Sequence, residues 1–196
     1  MSTGRVISSA IMVLFLIAGV QAADNYVVDK SHTNIGFTVK HLVIATVPGK
    51  FNDYSIDFMF DANDLKNSSV KATIKTASIN TDDEKRDEHL RSPDFFDAEK
   101  YPEIIFVSSR ILKKGEGYIA EGTLTMRGVS KEIELPFKIL GPVQDPWGNT
   151  KMGVEAALTI DRQDYGISWS KSLDTGGLVV SDDVNIKLDV ELTKEG

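Results

Sequence analysis

The sequence of 196 residues contains no cysteine, and this absence removes several classes of chemistry at once. Disulfide bonds, thiol catalysis, thioether attachment of haem and cysteine-ligated metals are all excluded. Histidine is almost as scarce, since only His32, His41 and His89 occur. None of the three forms an H-x-H or H-E-x-x-H pair, the spacings typical of metal ligands. We therefore expect no metal site and no bound cofactor.

Motifs for nucleotide binding and for nucleophilic catalysis are missing as well. The chain has no G-x-S-x-G elbow, no P-loop and no dinucleotide fingerprint. It carries 22 Lys and Arg against 29 Asp and Glu, a formal net charge of −7, without a basic cluster. This balance argues against nucleic acids and against anionic membrane surfaces as partners. The absences together favour a binding protein over an enzyme.

The first 22 residues have the features of a signal peptide. Arg5 gives a weakly positive start, an apolar run extends from Ala10 to Val20, and Val20-Gln21-Ala22 has small residues suited to cleavage. The run is too short to cross a bilayer, which needs roughly 20 apolar residues. We expect residues 1–22 to be removed, leaving residues 23–196 as one periplasmic or secreted domain without stable membrane insertion. Removing Arg5 takes one positive charge from the total of −7 and gives −8.

The rest of the chain is dominated by short segments in which apolar and polar residues alternate. In one of them Ile35, Phe37 and Val39 share a face, and His41 falls in phase with it. A turn is expected at Val47-Pro48-Gly49, and Pro136 suggests an edge or a distorted pairing. Eight or nine such segments without a βαβ rhythm predict an all-β, closed antiparallel barrel of about eight strands. A barrel of this size either fills itself with side chains or holds one small ligand.

One segment, about residues 82–97, breaks this alternation and predicts a helical crossover. Thr81 and Glu84 form a capping box at its start, and Ser92-Pro93 is typical of a second helical turn. The simpler interpretation of its charged residues is a solvated helix face with local ion pairs.

Its aromatic residues are harder to leave in solvent. Phe95 and Phe96 must find cover, in the core or elsewhere. Aromatic and guanidinium groups at the mouth of a barrel would also suit an amphiphile with an apolar tail and a polar head. Trp169, in a later loop, is either a hydrophobic lid or a surface anchor. Arg127 and Arg162 stand at strand ends, where capping or exposure is the simpler interpretation.

Several ordered motifs extend over essentially the whole chain after residue 22. In chain order they are F-T-V-K-H-L (37–42), P-G-K-F (48–51), R-D-E-H-L-R-S-P-D-F-F (86–96), K-Y-P-E-I-I-F (100–106), L-T-M-R-G-V-S-K (124–131), D-R-Q-D-Y-G (161–166) and V-S-D-D-V (180–184). With these motifs the sequence resembles the YceI-like family of exported bacterial proteins. Tyr165 stands where that family more usually has Phe, a conservative departure.

The resemblance implies a lipocalin-like barrel around an elongated apolar pore, often in a dimer. It also implies binding of a long-chain amphiphile, such as a polyisoprenoid quinone, a prenyl phosphate or a fatty-acid derivative. We therefore expect a carrier that sequesters an isoprenoid or fatty-acid-like lipid, linked to the stress response or to isoprenoid-quinone handling. A homodimer is a further expectation.

The expected binding residues fall into two groups. Near the mouth or head group we expect His41, Arg86, His89, Phe95 and Phe96. Against the apolar tail we expect Ile35, Phe37, Val39, Tyr54, Ile56, Phe58, Leu135 and Phe137. Two alternatives remain: an enzyme acting on a bound lipid with His41 or His89 as general base, and a stress or adhesion module whose barrel is filled by its own side chains.

Overall fold

The computed structural model describes residues 23–171 and 178–195, so the expected signal peptide lies outside the described residues. Within these ranges the chain forms eleven strands, one α-helix and four short 3-10 helices at Lys30–His32, Leu65–Asn67, Thr76–Ser78 and Arg162–Tyr165. The strands are β1 (Asp24–Val28), β2 (Asn34–His41), β3 (Ala45–Phe51), β4 (Tyr54–Phe60), β5 (Ser69–Lys75), β6 (Ile79–Asn80), β7 (Glu103–Lys114), β8 (Gly117–Met126), β9 (Val129–Gln144), β10 (Thr150–Asp161) and β11 (Val180–Lys194); the helix α1 is Glu84–Arg91. None of the described helices is long and apolar enough to cross a bilayer.

The strands form one antiparallel sheet that closes into a barrel. Its order is β1-β4-β5-β7-β8-β9-β10-β11, and β11 pairs with β1 to complete the ring. The predicted closed, lipocalin-like barrel of eight strands is confirmed. Closure leaves this ring without the free edges of an open sheet.

Three of the eight barrel strands are built from two segments placed end to end. β11 pairs with β2 along residues 180–189 and with β1 along residues 192–194. In the same way β3 continues into β4 and β5 into β6, because β2 pairs with β3 and β3 pairs with β6. Residues 30–32, 52–53 and 76–78 interrupt these strands. The second segments β2, β3 and β6 therefore lie at the same end of the barrel as residues 180–189 of β11.

Helix α1 lies at this end and is shorter than predicted. It contacts β6, whose second edge has no strand partner among the described residues. The predicted capping box is wrong, because Asp82 takes a left-handed conformation (φ 58°) and leaves Thr81 outside the helix. Asp83 is the N-cap instead, and its carboxylate accepts from the Arg86 amide at 3.0 Å. Residues 92–96 then form the predicted second short turn, in which the Ser92 hydroxyl accepts from the Asp94 amide at 3.3 Å.

Proline marks two further features of the sheet. The predicted turn at residues 47–49 is wrong, because the chain reverses at residues 42–44 and Pro48 lies within β3, opposite Thr38. In the described part of the chain β3 has a second partner only at residues 50–51, so Pro48 lies on a strand edge without a partner there, where a missing N–H is tolerated. Pro136 pairs with β8, but the β9–β10 pairing stops at Phe137. The expectation of an edge or distorted pairing there is confirmed.

Candidate functional site

The barrel interior contains two adjoining apolar cavities. The inner cavity, about 150 Å³, is lined only by strand residues. The outer cavity, about 300 Å³, is lined by β2, β3, β11, α1, the turn after α1 and the loop after β10. The ends of β7, β8 and β10 also contribute one residue each, Ile104, Met126 and Ile160. Four residues line both cavities: Phe37, Phe51, Met126 and Ile186. Drug-sized ligands bind in cavities that begin at about 300 Å³ and are mostly apolar, so the outer cavity reaches that range.

Aromatic rings stand at the junction of the two cavities. The ring centroids of Phe37 and Phe51 are 5.8 Å apart, and Phe96 packs edge-on against Phe51 at 6.0 Å. The Phe37 ring lies against Gly49 on the paired strand, where a Cβ atom would overlap it. Because Gly49 has no side chain, the Phe37 ring has room to lie against the neighbouring strand β3.

The predicted binding residues are distributed over both cavities. All five expected near the head group line the outer cavity: His41, Arg86, His89, Phe95 and Phe96. Of those expected along the tail, Val39 lines the outer cavity, Phe37 lines both, and the inner cavity is lined by Ile35, Ile56, Phe58, Leu135 and Phe137. Ligand binding by these residues stays a prediction.

Tyr54 is the exception, because it lines neither cavity. It is buried at the first position of β4, directly after the interruption at residues 52–53. Its hydroxyl donates to the Thr33 carbonyl at 3.3 Å, and the Lys30 ammonium lies 5.3 Å from its ring centroid. Burial raises the pKa of the Tyr54 hydroxyl. Alternation along β4 correctly predicts which side chains point into the barrel, but it does not show at which residue the cavity ends.

An aromatic cluster forms one wall of the outer cavity. The His89 ring meets Phe95 and Trp169 edge-on, with centroids 5.0 and 5.2 Å apart. Phe95 and Trp169 are themselves 5.2 Å apart. His89 Nε2 lies 3.1 Å from a carboxylate oxygen of Asp94, so its ring is held from both sides. Trp169 thus belongs to the cavity wall, although the sequence left open whether it was a lid or a surface anchor.

Arg162 ties the loop that carries Trp169 to strand β11. It is buried, with only 4% of its surface exposed. Its Nη1 donates to the carbonyls of Ile167 and Trp169, both at 2.7 Å, its Nε donates to Ser181 at 3.0 Å, and its Nη2 pairs with Asp182 at 2.8 Å. Arg162 is therefore not exposed, and of the two simpler interpretations capping is the correct one, because it donates to three backbone carbonyls. Its four carbonyl and carboxylate partners come together only in the folded chain.

Arg127 makes a second connection around the outer cavity. Its Nη2 donates to the Pro93 carbonyl at 2.8 Å, and its Nη1 donates to the Gly166 carbonyl. The turn after α1 and the loop after β10 are thereby fastened to the β8–β9 turn. These two walls of the outer cavity are held by charge-assisted hydrogen bonds in addition to apolar packing.

Arg86 is held at the cavity by a chain of hydrogen bonds that begins in the core. The buried Asp87 carboxylate accepts from the Thr81 hydroxyl at 2.5 Å and from the Thr81 amide at 2.9 Å. The Thr81 hydroxyl in turn accepts from Arg86 Nε at 2.8 Å, and the Thr81 carbonyl accepts from Arg86 Nη2 at 2.8 Å. Asp87 therefore fixes Thr81, and Thr81 fixes the guanidinium.

The outer cavity offers little catalytic machinery among the described residues. Within residues 23–171 and 178–195, Thr81 is the only hydroxyl-bearing residue that lines it, and that hydroxyl is already engaged by Asp87 and Arg86. No serine, carboxylate or lysine lines it in the described part of the chain, so His41 and His89 have no nucleophile beside them there. The arrangement is suited to hold a molecule with a long apolar part.

One group of potential metal ligands lies apart from the cavities. Asp29, His32 and Glu191 bring ligand atoms within 4.8 Å of one another. However, the Lys151 ammonium lies 3.1 Å from both Asp29 and Glu191 and already occupies the space between the two carboxylates with a positive charge. Hydrogen bonds from Ser31, His32 and Lys151 hold the pKa of Asp29 far below its usual range. The geometry is that of an ion-pair network.

Comparison with known proteins agrees with this architecture. The YceI-like domain matches residues 26–192. A UPF0312 protein of Photorhabdus laumondii is 40% identical over 154 residues, covering 78% of this chain and 80% of that protein. The crystal structure of a YCEI protein from Campylobacter jejuni superposes with a TM-score of 0.69 at 39% identity, covering 86% of this chain and 96% of the other.

A more distant structure shares the fold alone. It is described as a polyisoprenoid binding domain from Saccharophagus degradans implicated in plant cell wall breakdown. It superposes with a TM-score of 0.61 at 16% identity, covering 87% of this chain and 98% of that one. The family match spans nearly the whole described barrel, and the two closer comparisons extend over most of both partners. This chain belongs to the YceI-like domain family.

Proposed function

We propose that this protein binds a long-chain amphiphilic lipid of the isoprenoid type, with its tail inside the barrel. The observation that carries the proposal is the pair of adjoining cavities, which lead from a strand-lined apolar interior to a mouth with histidine and arginine side chains. Each methylene buried there contributes about 0.8 kcal/mol, so a long tail binds without catalytic chemistry. The tail would cross the junction beside Phe37 and Phe51.

The proposal extends to a carrier role. The Saccharophagus domain of the same fold is described as binding polyisoprenoids, which supports a ligand of this class. The sequence features of residues 1–22 support export to the periplasm or beyond. A carrier in that compartment would move or sequester a lipid that water cannot dissolve, in stress or in quinone handling.

Two alternatives make different predictions. A lipid-modifying enzyme would need His41 or His89 as general base, and turnover would then be lost in His41→Ala or His89→Ala while binding remained. The lack of a nucleophile among the described lining residues favours binding over catalysis. A barrel filled by its own side chains is disfavoured by the cavities of about 300 and 150 Å³.

The decisive experiment is native mass spectrometry of the protein purified from its own cells, followed by organic extraction. We expect a stoichiometric prenyl or acyl species that leaves the protein on extraction. A mass equal to that of the bare chain, unchanged after incubation with quinones, prenyl phosphates and fatty acids, would contradict the proposal. Extracts of an unrelated exported protein, purified in parallel, control for lipid carried over from the cells.

A further inference from the structure

Among the described residues, the titratable and charged side chains that line the outer cavity are all basic. They are His41, Arg86, His89 and Arg162, and no aspartate or glutamate lines this cavity within residues 23–171 and 178–195. The chain as a whole is acidic, with 29 Asp and Glu against 22 Lys and Arg. The described lining of the outer cavity thus contains basic groups and no acidic ones, in contrast to the acidic composition of the whole chain.

Two of these basic groups are balanced by carboxylates that lie just outside the cavity lining. Asp94 lies 3.1 Å from His89, and Asp182 lies 2.8 Å from Arg162. Arg162 also has three of its N–H groups on backbone carbonyls. These two groups therefore have little need of a charge supplied by a ligand.

Arg86 differs from them. In the described part of the chain no carboxylate oxygen lies within 4.0 Å of its guanidinium, and its Nη1 has no hydrogen-bond partner. Its Nε and Nη2 are anchored on Thr81, which the buried Asp87 fixes from behind. The remaining N–H groups belong to a guanidinium whose position is already set, on a residue that lines the cavity. Such a fixed planar fork matches the two oxygens of a carboxylate or a phosphate.

The consequence appears when a ligand fills the cavity. Arg86 is exposed, so water can reach the N–H groups that Thr81 does not engage. A lipid whose head caps the mouth removes part of that water. A neutral head group then leaves the partly dehydrated charge without an anionic partner, which weakens binding, whereas an anionic oxygen replaces the lost water and balances the charge.

We infer that the outer cavity selects lipids with an anionic oxygen head group, a carboxylate or a phosphate, and that Arg86 contacts this group directly. The inference rests on the proposed lipid binding and names the ligand class of that site. Neutral prenols and fatty amides are the ligands that it disfavours.

The test compares ligands that share a tail and differ only in the head. Geranylgeranyl phosphate is compared with geranylgeraniol, and palmitic acid with palmitamide, so that phosphate and carboxylate are examined separately. The protein carries Trp147→Phe, because Trp147 is 84% exposed and the chain has only two tryptophans. Fluorescence of the remaining Trp169, in the cavity wall, then reports binding.

The variants are Arg86→Gln, Arg86→Lys and the control Arg110→Gln, which removes an exposed arginine on the outer face of β7. With native Arg86 we expect the anion of at least one pair to bind roughly tenfold tighter than its neutral partner, or more. Arg86→Gln should abolish this preference without weakening the neutral ligand, Arg86→Lys should keep part of it, and Arg110→Gln should keep all of it.

Each other outcome overturns the inference in a recognisable way. Equal affinities within both pairs, or a preference that survives Arg86→Gln, would leave lipid binding intact and remove the anionic class. An equal loss for both members of a pair in Arg86→Gln would assign Arg86 to the structure of the mouth alone. Failure of all four ligands to bind would remove the inference together with the proposed function.

Discussion

Replacing Ala156 with leucine tests whether the lipid tail reaches the inner cavity. Ala156 is buried in β10 and lines the inner cavity, so a larger side chain at this position enters the space assigned to the end of the tail. The next residue, Ala157, is exposed on the opposite face of the same strand. Ala157→Leu is therefore a matched control, because it makes the same substitution on the face of the strand that points away from the cavity.

The magnitude follows from the three carbon atoms that leucine adds. They displace about three methylene equivalents of tail, worth about 0.8 kcal/mol each, so a long ligand should lose about 2.4 kcal/mol, roughly 60-fold in Kd. A ligand short enough to stay in the outer cavity should be unaffected. The same carbon atoms fill an apolar void, so the free energy of unfolding of the empty protein should stay unchanged or rise by up to about 2 kcal/mol. Weaker binding with undiminished stability separates this effect from misfolding.

The assay is titration of Trp169 fluorescence with geranyl phosphate and geranylgeranyl phosphate, beside urea unfolding of each variant. Ala157→Leu should bind both ligands as the parent does. Unchanged affinity of Ala156→Leu for the longer ligand, at undiminished stability, would show that the tail lies elsewhere. A loss of stability of about 1–3 kcal/mol would instead indicate overpacking, and Ala156→Val would then repeat the test with a smaller change.

Three further predictions concern stability, each measured by urea unfolding. Arg162→Gln leaves buried carbonyls and Asp182 without their partner, so it should cost about 3 kcal/mol, whereas Arg110→Gln removes an exposed ion pair and should cost clearly less. Equal losses would contradict the role given to Arg162. Leu42 and Val43 both have positive φ (51° and 66°), so replacing them with Asn-Gly should add about 1–2 kcal/mol, and no gain would refute the inferred backbone strain. Asp29→Asn should destabilise the protein at pH 7 but much less near pH 2. The pKa of Asp29 is lower in the folded protein than its unfolded value near 4, so its contribution to stability is complete above that value and is lost as the pH falls. A difference in stability that does not change with pH would contradict this.

The barrel could be predicted from the sequence because strand alternation has a short, local period. The turn between β2 and β3 could not, because the chain reverses through Leu42, Val43 and Ile44, apolar residues that are not typical of turns. The Pro48-Gly49 pair carries the ordinary turn signal, yet both residues lie in β3. Proline is accommodated there by a free strand edge, and glycine makes room for a ring of the neighbouring strand, neither of which is visible in a linear sequence.

In the candidate site, too, some residues could be predicted from the sequence and others could not. Strand phase and family motifs pointed to His41, Arg86 and His89, and the structure brings all three to one cavity. Trp169 and Arg162 were left without an assigned role, because their function depends on contacts between a loop and distant elements. Arg162 reaches Ser181 and Asp182 across the start of β11, and Trp169 meets aromatic rings from the crossover segment. Such contacts exist only once the barrel has closed.

The two cavities are built by different means, and this difference has a measurable consequence. The inner cavity is formed by strand side chains, whereas the outer one depends on arginines that fasten loops to strands. Tail length and head-group preference should therefore be separable properties. Residues that share no partners usually contribute additively to free energies, so Ala156→Leu and Arg86→Gln should together lower the affinity for geranylgeranyl phosphate by the sum of their separate effects, within about 0.5 kcal/mol. A clearly smaller combined loss would show that the head and the tail of the ligand shift together as one rigid unit, and the division into two independent cavities would then be wrong.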